Sequence, residues 1–167
     1  MFVKVASDIV VKLNYDCEML NYIASFLLIF ASGFSYGQSD EFLEMEALAE
    51  SGDVEAQFDL ALMYRNGTEV PRNDKTAVKW YTKAAEQGLA KAQFNLGNMY
   101  VNGEGITEND KTAVKWFTKA AEQGLAEAQF KLGNYYDYGY GVPENDKTAV
   151  KWYTKAAEQG DAGAQSN

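Results

Sequence analysis

The sequence predicts an all-α solenoid built from helix-turn-helix repeats with a period of 36 residues. Two observations lead to this prediction. First, residues 73–88 recur unchanged at 145–160 and with a single difference, Tyr81 to Phe117, at 109–124. Second, each copy has apolar and polar residues at the spacing of an amphipathic helix. One such helix pair cannot bury its apolar faces alone, so the copies must stack.

Composition narrows the chemistry that the chain can perform. Its 167 residues include one cysteine and no histidine. This excludes a Ser-His-Asp triad, a Cys-His pair, and a zinc or haem site with histidine ligands. The 15 basic and 24 acidic side chains give a net charge of −9. Nucleic acid is therefore an unexpected partner, because phosphate contacts need a basic surface. We expect no cofactor, no metal and no catalytic residue.

The first 37 residues differ from the rest and predict a secretory signal peptide. Residues 23–34 are almost continuously apolar. This run is shorter than the roughly 20 residues that a membrane-spanning helix needs. Lysines precede it and acidic residues follow it, a polarity that favours export of the C-terminal side. The small residues Ser35 and Gly37 frame a cleavage site before Gln38.

The predicted location depends on where the chain starts and whether it is cleaved. Asp16 and Glu18 place acids where a signal peptide carries lysine, so Met19 is the expected start. The mature protein would then be exported, either periplasmic or secreted. The alternatives are an uncleaved membrane anchor through residues 19–37 and a buried helix.

Each repeat is predicted to contain two helices, here called its first and second helix. The complete units are 53–88, 89–124 and 125–160, preceded by a degenerate half unit at 38–52 and followed by a truncated unit at 161–167. In the middle unit we expect the first helix at 89–100 and the second at 111–123. Asp110 is the expected N-cap, and Gly124 the left-handed residue that ends the second helix.

The middle unit, AxAQFxLGNMYxNGxGxxxNDKTAVKWFTKAAEQG, resembles the Sel-like repeat (SLR), a relative of the tetratricopeptide repeat with a longer loop between its helices. The matching residues are Ala92, Leu96, Gly97, Tyr100, Gly103, Gly105, Asp110, Ala113, Trp116, Phe117, Ala120, Ala121 and Gly124. The resemblance covers about 53–167. It implies a right-handed, tetratricopeptide-like solenoid and an adaptor whose curved surface holds a peptide or partner protein. In the first unit, Ala61 and Glu69 replace two of these glycines, so we expect a different loop shape there.

Differences among the three units predict where a partner binds. The second helices hardly vary, whereas the first helices do, as do loop positions such as Thr68, Glu104 and Tyr140. The resemblance implies that this side lines a concave groove, with three phenylalanines as apolar contacts. The predicted groove residues are Glu55, Phe58, Asp59, Leu62, Lys91, Phe94, Asn95, Asn98, Asn102, Glu127, Phe130, Lys131, Asn134 and Tyr138. The competing interpretation is drift at exposed positions.

Nine lysines form rows along the second helices and carry an alternative function. They are Lys75, Lys79, Lys83, Lys111, Lys115, Lys119, Lys147, Lys151 and Lys155. A copied, solvated face is the simpler interpretation, while a structural envelope component could use the rows to meet an anionic surface. The tryptophans beside them are expected to pack between helices.

A second alternative comes from the resemblance. One branch of the SLR family is cysteine-rich and β-lactamase-like, which would imply a secreted hydrolase. That branch carries a cysteine pair in each repeat, and these repeats have none. We therefore predict a non-catalytic exported adaptor that binds a protein or peptide.

The incomplete unit at 161–167 predicts either a truncated gene or an end surface that self-associates. Val150, Tyr153 and Ala157 are expected to lack the cover that a following unit would provide, and exposed apolar faces favour association.

Overall fold

The computed structural model describes residues 39–160, which form seven α-helices and no strand. The helices are α1 (Asp40–Ser51), α2 (Val54–Asn66), α3 (Asp74–Glu86), α4 (Ala90–Asn102), α5 (Asp110–Glu122), α6 (Ala126–Tyr138) and α7 (Asp146–Glu158). Consecutive helices pack against each other along the chain. The predicted all-α solenoid of repeats is confirmed. The signal peptide predicted at 1–37 and the truncated unit at 161–167 lie outside the described residues.

Helices α2, α4 and α6 are the first helices of the three units, and α3, α5 and α7 are the second helices. Within residues 39–160, no helix is both long and apolar enough to span a membrane.

Asparagine caps start all three second helices. The side chains of Asn73, Asn109 and Asn145 accept hydrogen bonds from the backbone N–H three residues later, at 3.1, 2.9 and 2.9 Å. Each asparagine has extended backbone, as an N-cap requires. The prediction of Asp110 as the cap is therefore wrong by one residue. Asp110 is the first helical residue, where its negative charge still stabilises the helix N-terminus.

A left-handed glycine ends each second helix and leads directly into the next unit. Gly88 and Gly124 have φ angles of 101° and 91°. The N–H of the following residue, Leu89 or Leu125, donates to a carbonyl of the last helical turn at 3.1 or 3.2 Å. This is the Schellman arrangement. Because the same leucine immediately precedes the next first helix, successive units are joined without a loop.

The loop within the first unit has the same shape as the other two, so the expectation of a different shape was wrong. The φ angle is 62° at Glu69, 69° at Gly105 and 65° at Gly141. The equivalent loop hydrogen bond, Thr68 N–H to the carbonyl of Met63, is also present at 3.2 Å. A glutamate thus occupies a left-handed conformation that favours glycine.

The later loops need glycine for a second reason, which is space. A Cβ atom at Gly105 would collide with the backbone of Asp74, and one at Gly141 with the backbone of Asp110. Each of these loops lies against the start of the preceding unit's second helix.

Small residues in the first helices make room for aromatic rings of the second helices. A Cβ atom on Gly97 would lie 2.5 Å from Cε1 of Phe117, and one on Gly133 would lie 2.6 Å from Cδ1 of Tyr153. Both glycines are buried. The rings therefore pack directly on the backbone of α4 and α6, and this contact sets the close approach of the helix pair.

The apolar side chains of α7, the second helix of the third unit, are buried to different extents. Val150 is 61% exposed, whereas its counterpart Val114 is 6% exposed. The predicted loss of cover therefore occurs at Val150. It does not occur at Tyr153, which is buried against the first helix of its own unit.

Candidate functional site

The fourteen predicted groove residues all lie on the first helices, α2, α4 and α6. Six of them are exposed: Glu55, Asp59, Lys91, Asn102, Glu127 and Tyr138. The other eight are half-buried: Phe58, Leu62, Phe94, Asn95, Asn98, Phe130, Lys131 and Asn134. The set therefore combines side chains that are free to meet a partner with others that also hold the helices together.

The three phenylalanines close the helix pair of each unit. Phe94 packs on Phe117 with ring centroids 5.7 Å apart, and Phe58 packs on Tyr81 at 5.8 Å. Phe130 makes the same contact with Tyr153 at 5.7 Å. One side of each ring is thus used within the unit, and the half-exposed remainder is available to a partner.

Three of the predicted asparagines also have structural partners. Asn102 Nδ2 donates to Glu104 Oε1 at 3.1 Å within the second unit. Asn95 Nδ2 donates to the Tyr81 hydroxyl at 3.4 Å, which joins the second unit to the first. The Tyr153 hydroxyl donates to Asn134 Oδ1 at 2.6 Å within the third unit. A partner that used these amide atoms would have to replace the existing bonds.

Three open cavities contain nine of the fourteen predicted residues. One, of about 420 Å³, is lined by Glu55, Gly88, Leu89, Ala90, Lys91, Gln123, Gly124 and Leu125. A second, of about 210 Å³, is lined by Phe58, Lys91, Phe94, Asn95, Leu125 and Glu127. A third, of about 430 Å³, is lined by Val101, Lys131, Asn134, Tyr135, Tyr138 and Tyr140. Lys91 is common to the first two, and the oppositely charged Glu55 and Glu127 lie one on each.

Comparison of the three units did not identify Val101 and Tyr135 as residues of the third cavity. It identified Tyr140 only as a loop position that varies among the units. The available signal was the contrast with the equivalent residues of the other units, Arg65 for Val101 and Met99 for Tyr135.

The sequence analysis also missed a ladder of buried glutamines between the units. Gln93 Nε2 donates to the carbonyl of Ala85 at 3.0 Å, and Gln123 Nε2 donates to Gln93 Oε1 at 2.8 Å. Gln57 and Gln129 make the same pair of bonds in their own units. The signal was a polar residue at the same buried position of every first helix. These bonds hold the frame on which the varied residues lie.

The lysine rows have a structural role where their side chains lie over the tryptophans of the second helices. The ammonium groups of Lys83, Lys119 and Lys155 lie 4.1, 4.4 and 4.8 Å from the ring centroids of the tryptophans three residues earlier. Such cation–π contacts contribute about 0.5–1 kcal/mol at exposed sites. The lysine stems also cover the rings. Two further lysines, Lys79 and Lys151, lie 5.3 and 6.0 Å from the ring centroids of Trp80 and Trp152. Five of the nine lysines therefore have a structural role that requires no binding partner.

Two acidic residues at or near the loop of the second unit, Glu104 and Asp110, contact side chains of neighbouring units. Glu104 forms an ion pair with Arg65 at 3.4 Å. The Tyr135 hydroxyl donates to Asp110, and burial together with this carboxylate raises the pKa of Tyr135. Within the described part of the chain, no group of three or more acidic, cysteine or histidine side chains could hold a metal ion.

The repeats match a known family model. The model of the Sel1 repeat matches residues 54–89, 90–125 and 126–161. These boundaries lie one residue after the units defined from the sequence. Among proteins with curated descriptions, none matches this chain.

Three solved structures are similar to this one. A Sel1 repeat protein from Oxalobacter formigenes is 40% identical, with a TM-score of 0.71, over 77% of this chain and 96% of that chain. A protective antigen of uropathogenic Escherichia coli with an SLR fold is 44% identical, with a TM-score of 0.71. That match covers 72% of this chain and 26% of the antigen. Cysteine-rich protein B of Helicobacter pylori is 23% identical, with a TM-score of 0.61, over 78% of this chain and 98% of that one, and it shows the shared fold alone.

Sel1 repeat proteins generally mediate protein interactions, and their fold is a scaffold that is typically non-catalytic. The matched repeats cover more than half of the chain, and their order agrees with the helix pairs of the structure. This chain belongs to the Sel1 repeat family.

Proposed function

We propose that this protein is an exported, non-catalytic adaptor that binds a protein or peptide partner in a groove along its first helices. One observation carries the proposal: the contacts that hold the helices together are the same in each unit, whereas exposed side chains of the first helices differ. The glutamine ladder, the asparagine caps and the ring contacts recur from unit to unit. On the first helices, by contrast, exposed side chains differ at equivalent positions, as at Glu55, Lys91 and Glu127.

The charges on this side suit selection of a particular partner. The equivalent residues Glu55, Lys91 and Glu127 are all exposed, and their charge alternates from unit to unit. Charges at the rim of an interface mainly set orientation and exclude wrong partners. The adjoining cavity, beside Phe58 and Phe94, supplies apolar surface for affinity. Extended surfaces of this kind are what repeat proteins use for binding.

Export is the second part of the proposal, and it rests on the N-terminal sequence. The apolar run at 23–34, the acidic residues that follow it and the small residues before Gln38 fit a cleaved signal. If the segment is not cleaved, the same adaptor would be anchored to the membrane through residues 19–37.

Site-specific photocrosslinking in cells tests the binding surface. A photoreactive amino acid replaces Lys91 on the first-helix side, and in a matched control it replaces Lys115, which is equally exposed on a second helix. We expect one discrete crosslinked partner from position 91 and none from position 115. The partner is then identified by mass spectrometry and purified for binding measurements.

Charge reversal decides between the two faces of the protein. Lys91→Glu, Asn98→Glu and Lys131→Glu are combined in one variant, and Lys79→Glu, Lys115→Glu and Lys151→Glu in its control. We expect the first variant to lose at least tenfold in affinity for the crosslinked partner and the control to bind normally. Unchanged binding by the first variant would contradict the groove proposal. Loss only in the control would favour the envelope component that uses the lysine rows.

A further inference from the structure

The third unit carries an aromatic cavity that the other units lack. The cavity measures about 430 Å³ and lies between the second and third units. Two of its lining rings, Tyr138 and Tyr140, are 64% and 51% exposed. Such exposure is expensive for large rings, because an apolar surface left in water loses the stabilisation that burial provides. Tyrosine is also enriched among the residues that dominate binding at protein interfaces.

The exposed rings are held by a chain of aromatic contacts that begins in the core. Buried Tyr135 contacts buried Phe117 with centroids 5.4 Å apart and contacts Tyr140 at 5.6 Å. Tyr140 in turn lies 5.7 Å from Tyr138, at an interplanar angle of 32°. The hydrogen bond from the Tyr135 hydroxyl to Asp110 fixes the buried end. Ordered rings lose little conformational freedom when a ligand binds, so this surface is suited to recognition.

The equivalent junction between the first and second units is closed by charges. There, Arg65 and Glu104 form an ion pair at 3.4 Å, and Asn102 Nδ2 donates to Glu104 at 3.1 Å. The residues 36 positions later are Val101 for Arg65 and Tyr140 for Glu104. The same fold thus has a polar bridge at one junction and an aromatic cavity at the next. The tyrosines are therefore not required by the repeat frame itself.

The side chains around the cavity define the chemistry of its ligand. Lys131 is the single charged residue in its lining. The Lys131 ammonium and the Tyr138 and Tyr140 hydroxyls have no hydrogen-bond partner within residues 39–160. The cavity thus offers donors beside flat apolar faces. A proline segment matches it, because proline presents an apolar ring and a carbonyl but no N–H group. In the polyproline II conformation such segments dock against aromatic-lined grooves. A carboxylate in the segment would pair with Lys131.

We propose that this cavity binds an acidic, proline-containing segment of the partner protein in an extended conformation. The proposal rests on the groove function proposed above and adds the chemistry of the segment that is recognised. Each feature has one role: the Tyr138 and Tyr140 rings take the prolines, their hydroxyls donate to backbone carbonyls, and Lys131 selects an acidic neighbour.

Selection from a random peptide library displayed on phage tests the proposal without knowledge of the partner. The full-length chain is the bait, and a Tyr138→Ala, Tyr140→Ala double variant removes peptides that bind elsewhere. We expect the remaining peptides to be enriched in proline with glutamate or aspartate nearby. A Thr107→Ala variant is the control, because Thr107 is an exposed loop residue of the second unit that lies outside the predicted groove residues and outside the lining of the cavity. Circular dichroism checks that every variant is folded.

Titration calorimetry with one selected peptide then measures separately how much the tyrosine rings and Lys131 contribute to affinity. The double tyrosine variant should bind at least tenfold more weakly than the native chain, and Thr107→Ala should bind as the native chain does. Lys131→Gln should weaken binding of the acidic peptide about fivefold and leave its glutamine analogue unaffected. Selected peptides without proline, no selected peptides, or equal binding by the double tyrosine variant would each overturn the proposal. If the crosslink at position 91 persists in those cases, only the cavity proposal fails. If that crosslink is also absent, the groove function fails with it.

Discussion

Gln123 Nε2 donates a hydrogen bond to Gln93 Oε1 at 2.8 Å, and the same Gln93 side chain donates to the carbonyl of Ala85 at 3.0 Å. Gln93 therefore ties the end of one second helix, α3, to the end of the next, α5. The bond spans 30 residues of sequence and repeats in all three units. Buried amides that are fully bonded in this way make the stacking of units specific as well as stable.

Replacing Gln93 tests the ladder. Gln93→Leu keeps a side chain of similar size but removes two hydrogen bonds, one to the carbonyl of Ala85 and one from Gln123 Nε2. We expect the free energy of unfolding to fall by about 1–3 kcal/mol, because each such bond contributes about 0.5–1.5 kcal/mol. Urea denaturation measures the change. Gln123→Ala removes a partner that is exposed, and it should cost clearly less. Equal losses in the two variants would contradict a structural role for the buried amide.

The contact between Gly97 and Phe117 leads to a second prediction. Gly97→Ala forces a Cβ atom into the ring of Phe117, so we expect about 1–3 kcal/mol of destabilisation, typical of overpacking. Thermal and urea unfolding measure it. A second change, Phe117→Leu, should offset part of the loss because it removes the ring that Cβ meets. A double variant that is less stable than both single variants would show that the collision is not the cause.

The left-handed Glu69 predicts a stabilising substitution. A non-glycine residue in this conformation costs about 1–2 kcal/mol, and glycine recovers most of it despite its larger entropy in the unfolded chain. We expect Glu69→Gly to raise the free energy of unfolding by about 0.5–1 kcal/mol. Gly105→Ala should lower it strongly, because the new Cβ atom meets the backbone of Asp74. Gly88→Ala, where the space around Cβ is open, should show the cost of the backbone angle alone.

Alkaline pH should weaken the fold through Tyr135. Burial and the neighbouring Asp110 raise the pKa of Tyr135 above its ordinary value of 10.0. The folded state therefore retains a proton that the unfolded state loses, and stability falls as the pH rises through about 10 towards the folded-state pKa. We expect the free energy of unfolding to be lower at about pH 11 than at about pH 9. Tyr135→Phe should reduce this dependence, and an unchanged slope in that variant would assign it to other groups.

The N-terminal prediction is tested by intact-mass spectrometry of the native protein after cell fractionation. Cleavage and export predict a mass that begins at Gln38 in a fraction outside the cytoplasm. A mass that retains Met1 or Met19 in the membrane fraction would instead establish the anchored form. The partner search would then turn to membrane complexes.

Local rules explain what could be predicted from the sequence. The 36-residue period, the helix pairs and the left-handed Gly124 follow from periodicity and from the backbone freedom of glycine. The cap at Asn109 was missed because two adjacent residues, Asn109 and Asp110, are both good capping types. Comparison of the units located the variable side chains on the first helices. Their role in binding remains a prediction.

The repeat family and the helix pair of each unit could be predicted because they depend on residues a few positions apart. How neighbouring units are joined depends on residues far apart in the chain and became visible only in the packed helices. Arg65 meets Glu104 across 39 residues, while their counterparts Val101 and Tyr140 leave a cavity. The amide of Gln93 similarly finds its partner 30 residues away. These neighbours are set by the packing of helices, and one side chain at a junction changes what the surface can bind.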